Sequence, residues 1–255
     1  MKKLNRALLS FATTRARIGS IAAAKMAMAY VRSSDSKIDV GDGWPTLWVR
    51  GRTEDPAMFS AFVAHRTGHR ESLKLLGSPR TIVDAGANVG YFSVLMARAF
   101  PDATILAIEP DTSNFEALCK NTAAMPQIKP IRGAVWPRTE PVRLENPEAT
   151  SIEFRVESAA ADGDASTAGT VPGYNVADLL DEHKIDRVDL LKIDIEGGET
   201  ALFGENTDWL HRAKHLLLEL HGDAWRTVFD ELSKFDYTCR EIPLGGLLIE
   251  LNGKR

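Results

Sequence analysis

Residues 81–92 read Thr-Ile-Val-Asp-Ala-Gly-Ala-Asn-Val-Gly-Tyr-Phe, and this stretch decides the fold. Ile82 and Val83 are β-branched and apolar, which is typical of a strand that is buried on both faces. Asp84 follows where that strand should end. Because ligands of open α/β sheets bind outside the carboxyl ends of the strands, the stretch predicts a strand, a ligand-binding turn and a helix start in succession.

The two glycines of the turn, Gly86 and Gly90, let a ligand approach the backbone without meeting a Cβ atom. Their spacing is Asp-x-Gly-x-x-x-Gly, which lacks the middle glycine of the fingerprint that binds a dinucleotide pyrophosphate. Glu109 directly follows the next apolar run, residues 103–108. A carboxylate at this strand end can accept hydrogen bonds from the hydroxyls of a ribose. Two acids without a phosphate clamp indicate a ligand with a ribose and a positive centre. S-adenosylmethionine fits this description better than NAD.

The composition indicates one large globular domain. The chain has 255 residues, 44% of them hydrophobic, and a formal net charge of −4, so it offers no overall basic surface and nucleic acid is not an expected partner. Its two cysteines are too few for a disulfide framework or a cysteine zinc site. The scarcity of cysteine indicates a reducing, cytoplasmic setting. Because no apolar run reaches the roughly 18 residues of a membrane span, we expect a soluble protein.

The first residues of the chain differ in character from the rest. Residues 1–34 contain seven basic residues and no acid, with apolar residues at helical spacing. We therefore predict that residues 1–46 are a basic N-terminal helical extension and cover, and that residues 47–255 form the main domain. The extension either docks on that domain or contacts a membrane surface or a partner protein.

Strand-like and helix-like patterns alternate after residue 81, which predicts a parallel sheet. The third strand of this series should end near Gly133 and Ala134, close to an adenine by fold analogy. Two final strand patterns, residues 238–242 and 247–251, flank a tight Gly-Gly reversal. The predicted fold is therefore α/β: a doubly wound, mostly parallel seven-stranded sheet of the Rossmann-like kind, with an antiparallel C-terminal hairpin whose last strand runs opposite to the rest.

Residues 145–173 interrupt this alternation. From residue 159 onward they are dominated by Ala, Gly, Asp, Ser and Thr, and have little to bury. Loops of this length in compact domains are usually functional or disordered. We predict a lid or insertion that borders the pocket of a second substrate.

A cluster of charged residues is predicted at two neighbouring strand ends. Lys192, Asp194 and Glu196 alternate along one strand pattern, and Glu219 and His221 end the next. Because the carboxyl ends of parallel neighbours meet at one edge, these side chains should lie together. His221 is the predicted general base, since the unperturbed pKa of histidine, about 6.5, suits proton abstraction. Lys192 should neutralise the surrounding acids.

A hard divalent ion bound by Asp194, Glu219 and His221 is the alternative for this cluster. Histidine is not a preferred ligand of Mg²⁺ and no dedicated loop is present, so a metal is not the favoured interpretation. A second histidine pair, His65 and His69, is spaced as i and i+4 on a predicted helix. Without a third ligand nearby in sequence, this pair is interpreted as solvated or core histidine rather than as a metal site.

Four segments together resemble the FkbM family of S-adenosylmethionine-dependent methyltransferases: residues 83–92, 108–111, 189–197 and 218–221. The Lys-Ile-Asp-Ile-Glu-Gly block followed by Glu-Leu-His is the specific part, and the resemblance covers roughly residues 47–251. It implies a class I methyltransferase fold and O-methylation of a hydroxyl on a sugar or a natural-product small molecule. The N-terminal extension and the insertion depart from the family pattern, so the acceptor is left open.

The predicted cofactor site consists of the glycine turn and the neighbouring strand ends: Asp84, Gly86, Ala87, Asn88, Gly90, Tyr91, Glu109, Pro110, Gly133, Ala134 and Asp194. Two other functions are weighed against methyl transfer. A nucleotide-dependent oxidoreductase is disfavoured by the absent pyrophosphate glycine. A non-catalytic cofactor-binding module is disfavoured because the charged cluster is complete.

Overall fold

The computed structural model describes residues 19–32, 34–51, 53–64, 69–144, 156–158 and 170–254. Its helices are α1 (Ser20–Arg32), α2 (Asp55–Phe59) with a π-helical continuation (Ser60–Ala64), α3 (Arg70–Leu75), α4 (Tyr91–Ala99), α5 (Thr112–Thr122), α6 (Val176–Glu182), α7 (Glu199–Gly204), a 3₁₀ segment (Thr207–Arg212) and α8 (Ala224–Leu232). Its strands are β1 (Ser36–Ile38), β2 (Leu47–Val49), β3 (Thr81–Ala85), β4 (Thr104–Glu109), β5 (Ile128–Arg132), β6 (Ala134–Val135), β7 (Glu140–Leu144), β8 (Val156–Ser158), β9 (Thr170–Tyr174), β10 (Val188–Ile193), β11 (Ala213–Leu218), β12 (Phe235–Ile242) and β13 (Gly246–Lys254). The predictions for residues 1–18, for His65, and for residues 145–155 and 159–169 of the insertion lie outside the described residues.

The main sheet has seven strands in the order β12-β13-β11-β10-β3-β4-β5. The pairs from β11 to β5 are all parallel, whereas β13 is antiparallel to both of its neighbours. The predicted seven-stranded sheet, in which only the last strand of the chain runs opposite to the rest, is therefore confirmed.

Alternate residues of the central strands enter two separate cores. Ile82 belongs to the cluster that includes helices α1, α2, α4 and α5, and its neighbour Val83 belongs to the cluster that includes α6, α7 and α8. Both residues are fully buried. A strand that is apolar at every position is what helices on both faces require, so the doubly wound arrangement follows directly from these residues.

Helix α1 is the described helix of the predicted N-terminal extension, residues 1–46. Ala22 and Met26 are buried in the core that α4 and α5 also line, whereas Ile21 and Met28 are exposed. This part of the segment therefore docks on the domain. Within the described ranges, no helix has the length and apolar character needed to cross a bilayer.

A second, four-stranded sheet with the order β6-β9-β7-β8 follows the third strand of the main sheet. Strand β8 and most of strand β9 in this sheet belong to the predicted insertion, residues 145–173. Residues 170–173 therefore form a strand and not a loop. Val142 of β7 lies opposite Val171 of β9, and both side chains are buried. Proline and glycine in β9 hid this strand from pattern analysis, since both residues are depleted in strand interiors.

The winding of the chain changes direction between β3 and β10, which are adjacent in the sheet. From β3 the chain proceeds to β4 and β5 on one side, and from β10 to β11 on the other. The carboxyl ends of β3 and β10 therefore flank the crevice in which open α/β sheets bind ligands. Gly86, with a φ of 79°, lets the two ends pack closely, because a Cβ atom there would lie 1.8 Å from the carbonyl oxygen of Asp194.

Candidate active site

Backbone hydrogen bonds join the ends of three strands into one edge. The N–H of Asp194 donates to the carbonyl of Ala85 at 3.1 Å, and the N–H of Glu219 donates to the carbonyl of Ile193 at 3.0 Å. Because β10 ends at Ile193, Asp194 and Glu196 lie in a loop, and the prediction that they continue one strand face with Lys192 is wrong. Glu196 has a φ of 53°, which a strand does not allow, and this turn ends the alternation.

A cavity of about 580 Å³ runs along this edge. The predicted cofactor residues that line it are Gly86, Ala87, Asn88, Tyr91, Glu109, Pro110, Gly133, Ala134 and Asp194. The predicted catalytic residues that line it are Lys192, Asp194, Glu196 and Glu219. Asp84, Gly90 and His221 are not among the residues that line it.

Glu109 is fixed at the end of β4 by hydrogen bonds to both carboxylate oxygens. Oε2 accepts from the N–H of Asn88 at 2.8 Å, and Oε1 accepts from the N–H of Asp111 at 3.0 Å and from Asn114 Nδ2 at 3.4 Å. The residue is only 4% exposed. Burial raises the pKa of Glu109 to about 7, although the backbone donors oppose the shift. The carboxylate is thus pre-positioned beside the glycine turn.

Asp84 and Lys192 form a buried pair across β3 and β10, where they are direct partners in the register. Lys192 Nζ lies 3.5 Å from Asp84 Oδ1, and Ser93 Oγ donates to Asp84 Oδ2 at 2.6 Å. Burial raises the pKa of Asp84, and Lys192 opposes that shift. Asp84 is fully buried, and its observed contacts are with Lys192 and Ser93; its membership of the cofactor site stays a prediction.

The ammonium of Lys192 also reaches the cavity wall. It lies 3.0 Å from Asp194 Oδ2 and 3.3 Å from the carbonyl oxygen of Gly86, and 5.5 Å from the centre of the Phe92 ring. Burial alone would lower its pKa, but Asp194 and Asp84 outweigh that effect and raise the pKa above the usual range. Lys192 is therefore held as a cation, as a neutralising group would be.

His221 joins the charged cluster through contacts with three acids. Its Nδ1 lies 2.8 Å from Glu199 Oε1, and its Nε2 lies 3.3 Å from Glu196 Oε2 and 4.0 Å from Asp194 Oδ1. The hydrogen bond to Glu199 is the largest of the effects that raise the pKa of His221 to about 9. Burial raises the pKa of Glu196 to about 7 even though His221 opposes it. The structure thus unites the predicted cluster, while the role of His221 as base stays a prediction.

Sequence reasoning missed Glu199, a fully buried acid at the start of α7. An acidic residue in the first turn of a helix is ordinary, so the pattern carried no sign of its burial. Three of its neighbours in the cluster, Asp194, Glu219 and His221, have ligand atoms that all lie within 4.8 Å of one another. These residues could hold a metal ion.

A group of apolar residues, called the apolar wall below, also lines the cavity, and it too was missed. Its members come from α2 and its π-helical continuation, from α4, and from the turn between β12 and β13: Met58, Ala61, Phe62, Phe92, Pro243 and Leu244. Phe62 and Phe92 meet edge to face with ring centres 5.9 Å apart. His69 is buried beside them, with Nε2 3.0 Å from the carbonyl oxygen of Ala61. Short hydrophobic segments far apart in sequence gave no signal for this wall.

Residues 84–239 match the model of the methyltransferase FkbM domain. The methyltransferase sdnD of Sordaria araneosa is 29% identical over 163 residues, which make up 52% of this chain and 62% of that protein. Methyltransferase 1 of Beauveria bassiana (strain ARSEF 2860) is 48% identical over 40 residues, 16% of each chain. The chain thus spans less than two thirds of the length of either relative.

Two solved structures illustrate the structural likeness. Methyltransferase FkbM from Methylobacillus flagellatus KT has 14% sequence identity and a TM-score of 0.48, over 96% of this chain and 59% of that one. The O-methyltransferase TomG from Streptomyces achromogenes has 17% identity and a TM-score of 0.43, over 77% of this chain and 95% of that one. Since these scores are below 0.5, the assignment rests on the sequence match. Because the FkbM domain matches more than half of the chain, this protein belongs to the FkbM methyltransferase family.

Proposed function

We propose that the protein transfers the methyl group of S-adenosylmethionine to a hydroxyl oxygen of a small molecule. One observation carries this proposal: a single cavity holds a fixed carboxylate suited to a ribose, Glu109, and a separate cluster of carboxylates suited to a positive centre. In this arrangement the ribose hydroxyls donate to Glu109, and the sulfonium faces Asp194, Glu196 and Glu219.

The charges that line the cavity support this cofactor over a dinucleotide. Four carboxylates line it, those of Glu109, Asp194, Glu196 and Glu219, and among the described residues Lys192 supplies the one ammonium. That ammonium is already paired with Asp194. A sulfonium is attracted by such a surface, whereas the two negative charges of a pyrophosphate would be repelled.

The reaction is an in-line displacement. The acceptor oxygen forms a bond to the methyl carbon while the bond from that carbon to sulfur breaks, and sulfur keeps the electron pair, so the products are a methyl ether and S-adenosylhomocysteine. The hydroxyl proton leaves to a group of the protein, and we assign this step to the cluster around His221. Holding oxygen, carbon and sulfur in line is the main task of the cavity walls.

The apolar wall narrows the class of acceptor. Met58, Phe62, Phe92 and Leu244 offer hydrocarbon and aromatic surface, and buried hydroxyls without partners would be costly there. A sugar has several hydroxyls to satisfy, whereas an apolar alcohol needs partners for only one. We therefore propose a natural-product alcohol with an apolar body as the acceptor.

Calorimetry and a transfer assay test the proposal. Titration with S-adenosylmethionine should show one binding site, and titration with NAD should show none. Transfer of a labelled methyl group should then be measured with a panel of apolar alcohols and free sugars, and the alcohols should be the better acceptors. Binding of NAD in place of S-adenosylmethionine would favour an oxidoreductase. Cofactor binding without transfer to any alcohol would favour a non-catalytic module.

A further inference from the structure

We infer that Asp194, Glu219 and His221 bind a divalent cation at the edge of the cavity. We assign the cation the role of activating the acceptor hydroxyl, and this role rests on the proposed function. The binding of the cation to the three residues does not depend on that function. The ligand atoms of the three residues lie within 4.8 Å of one another, a spacing that one ion can bridge.

The orientation of His221 is the observation that distinguishes this site from an ordinary group of acids. Its Nδ1 is held 2.8 Å from Glu199 Oε1, and Glu199 is fully buried. A carboxylate in this position accepts the Nδ1 proton, so Nε2 is the nitrogen whose lone pair can bind an ion when the ring is neutral. Histidine ligands of metals characteristically donate their other ring N–H to a carboxylate in this manner.

The surroundings of Nε2 need a positive charge. Nε2 faces Glu196 Oε2 at 3.3 Å and Asp194 Oδ1 at 4.0 Å, so a neutral ring would direct its lone pair at carboxylate oxygens. Either a second proton on the ring or a cation between these atoms removes that repulsion. A cation at this position also neutralises the surrounding carboxylates. A proton on Nε2 can bond to only one or two of them.

The charge balance of the cluster favours the cation. Five carboxyl groups lie at this edge, those of Asp84, Asp194, Glu196, Glu199 and Glu219. Within the described residues, the basic groups paired with them are the ammonium of Lys192 and the ring of His221, so the acids outnumber the bases even when the ring is protonated. Lys192 engages Asp194 Oδ2, which leaves the other oxygen of Asp194 directed at His221. Asp194 can therefore pair with the lysine and bind an ion at the same time.

The ligand types indicate which ion to expect. Carboxylates suit Mg²⁺ and Mn²⁺, whereas an imidazole ligand shifts the preference towards first-row transition metals. Mn²⁺ satisfies both ligand types and is the probe we would use. Because Asp194 and Glu219 line the cavity, an ion held there is placed to polarise the acceptor hydroxyl and to lower its pKa.

Titration of the chelator-treated full chain with Mn²⁺, followed by the electron paramagnetic resonance signal of the free ion, tests the inference. We expect one Mn²⁺ per chain. Glu219→Gln and His221→Asn should lose this binding, and Glu199→Gln should weaken it by about 10- to 100-fold because it removes the partner that orients the ligand. Glu116→Gln, an exposed acid on α5, is the matched control and should bind as the parent does.

Two additional measurements keep the test decisive. Binding of S-adenosylmethionine, measured on the same samples, separates failure of the cation site from failure of the proposed function. Broadening of the His221 ring resonances by Mn²⁺ in the parent locates the ion even if a variant does not fold. No Mn²⁺ uptake by the parent, or uptake that is unchanged in both Glu219→Gln and His221→Asn, would overturn the inference and indicate that His221 carries a second proton instead.

Discussion

The substitution Glu109→Gln probes the part of the account that concerns the cofactor. The carboxylate of Glu109 is held by the backbone N–H groups of Asn88 and Asp111, and it retains lone pairs for the two ribose hydroxyls. Glutamine keeps the shape, but its amide offers one acceptor oxygen in place of two and removes the negative charge. Hydrogen bonds to a charged group contribute about 1.5 to 3 kcal/mol, so losing one should weaken cofactor binding by roughly 10- to 150-fold.

The assay is calorimetric titration with S-adenosylmethionine at pH 8, where Glu109, whose pKa is raised to about 7, is mostly ionised. Glu116→Gln on α5 is the control and should leave the affinity unchanged. Thermal unfolding without ligand establishes that both variants are folded. If folded Glu109→Gln binds the cofactor as tightly as the parent does, the ribose is not bound by Glu109 and the proposed orientation of the cofactor is refuted.

Four further predictions follow from the same structure. Because the ionised form of Glu109 accepts the ribose hydroxyls, the affinity for S-adenosylmethionine should fall as the pH drops below about 7, by about tenfold per pH unit, in calorimetric titrations over a pH series; a flat profile would count against the assignment. The stability of the ligand-free protein should depend on pH in the opposite direction. Because the pKa of Glu109 is raised from 4.5 to about 7 on folding, its contribution to the free energy of unfolding is fully present below pH 4.5 and is lost as the pH rises through about 7, which denaturant titrations can measure. His221→Ala should lower turnover by about 10² to 10⁴ and leave the calorimetric affinity for the cofactor nearly unchanged, whereas full activity would remove His221 from the mechanism. Gly86→Ala should lower the free energy of unfolding by roughly 2 to 6 kcal/mol, since it strains a residue with a φ of 79° and places a Cβ atom 1.8 Å from the Asp194 carbonyl oxygen. Gly204→Ala, where no atom lies within 4 Å of the new Cβ, is its control, and equal stabilities of the two variants would contradict the packing described between β3 and β10.

The elements that the sequence predicted well are those with a strong local signal. Ile82 and Val83 sit in a strand covered on both faces, and the chain direction of β13 agrees with the reversal expected at the Gly-Gly pair. The acid at the end of β4 was placed correctly because parallel strands bring their carboxyl ends to one edge of the sheet. In each case a few consecutive residues determine the structure.

The elements that the sequence did not predict depend on contacts between distant segments. Strand β9 exists because it pairs with β7, which outweighs the low strand propensity of its proline and glycine. The strand pattern from Lys192 to Glu196 looked continuous, yet the chain turns at Glu196. Glu199 became part of the cluster only because the end of β11 brings His221 beside it.

A crystal structure of the protein with S-adenosylhomocysteine tests the central claim most directly. We predict that the ligand occupies the cavity at the ends of β3, β4 and β10, with its ribose hydroxyls within hydrogen-bonding distance of Glu109 and its sulfur directed towards Asp194 and Glu219. A ligand bound outside this cavity, or a ribose that does not contact Glu109, would contradict the account.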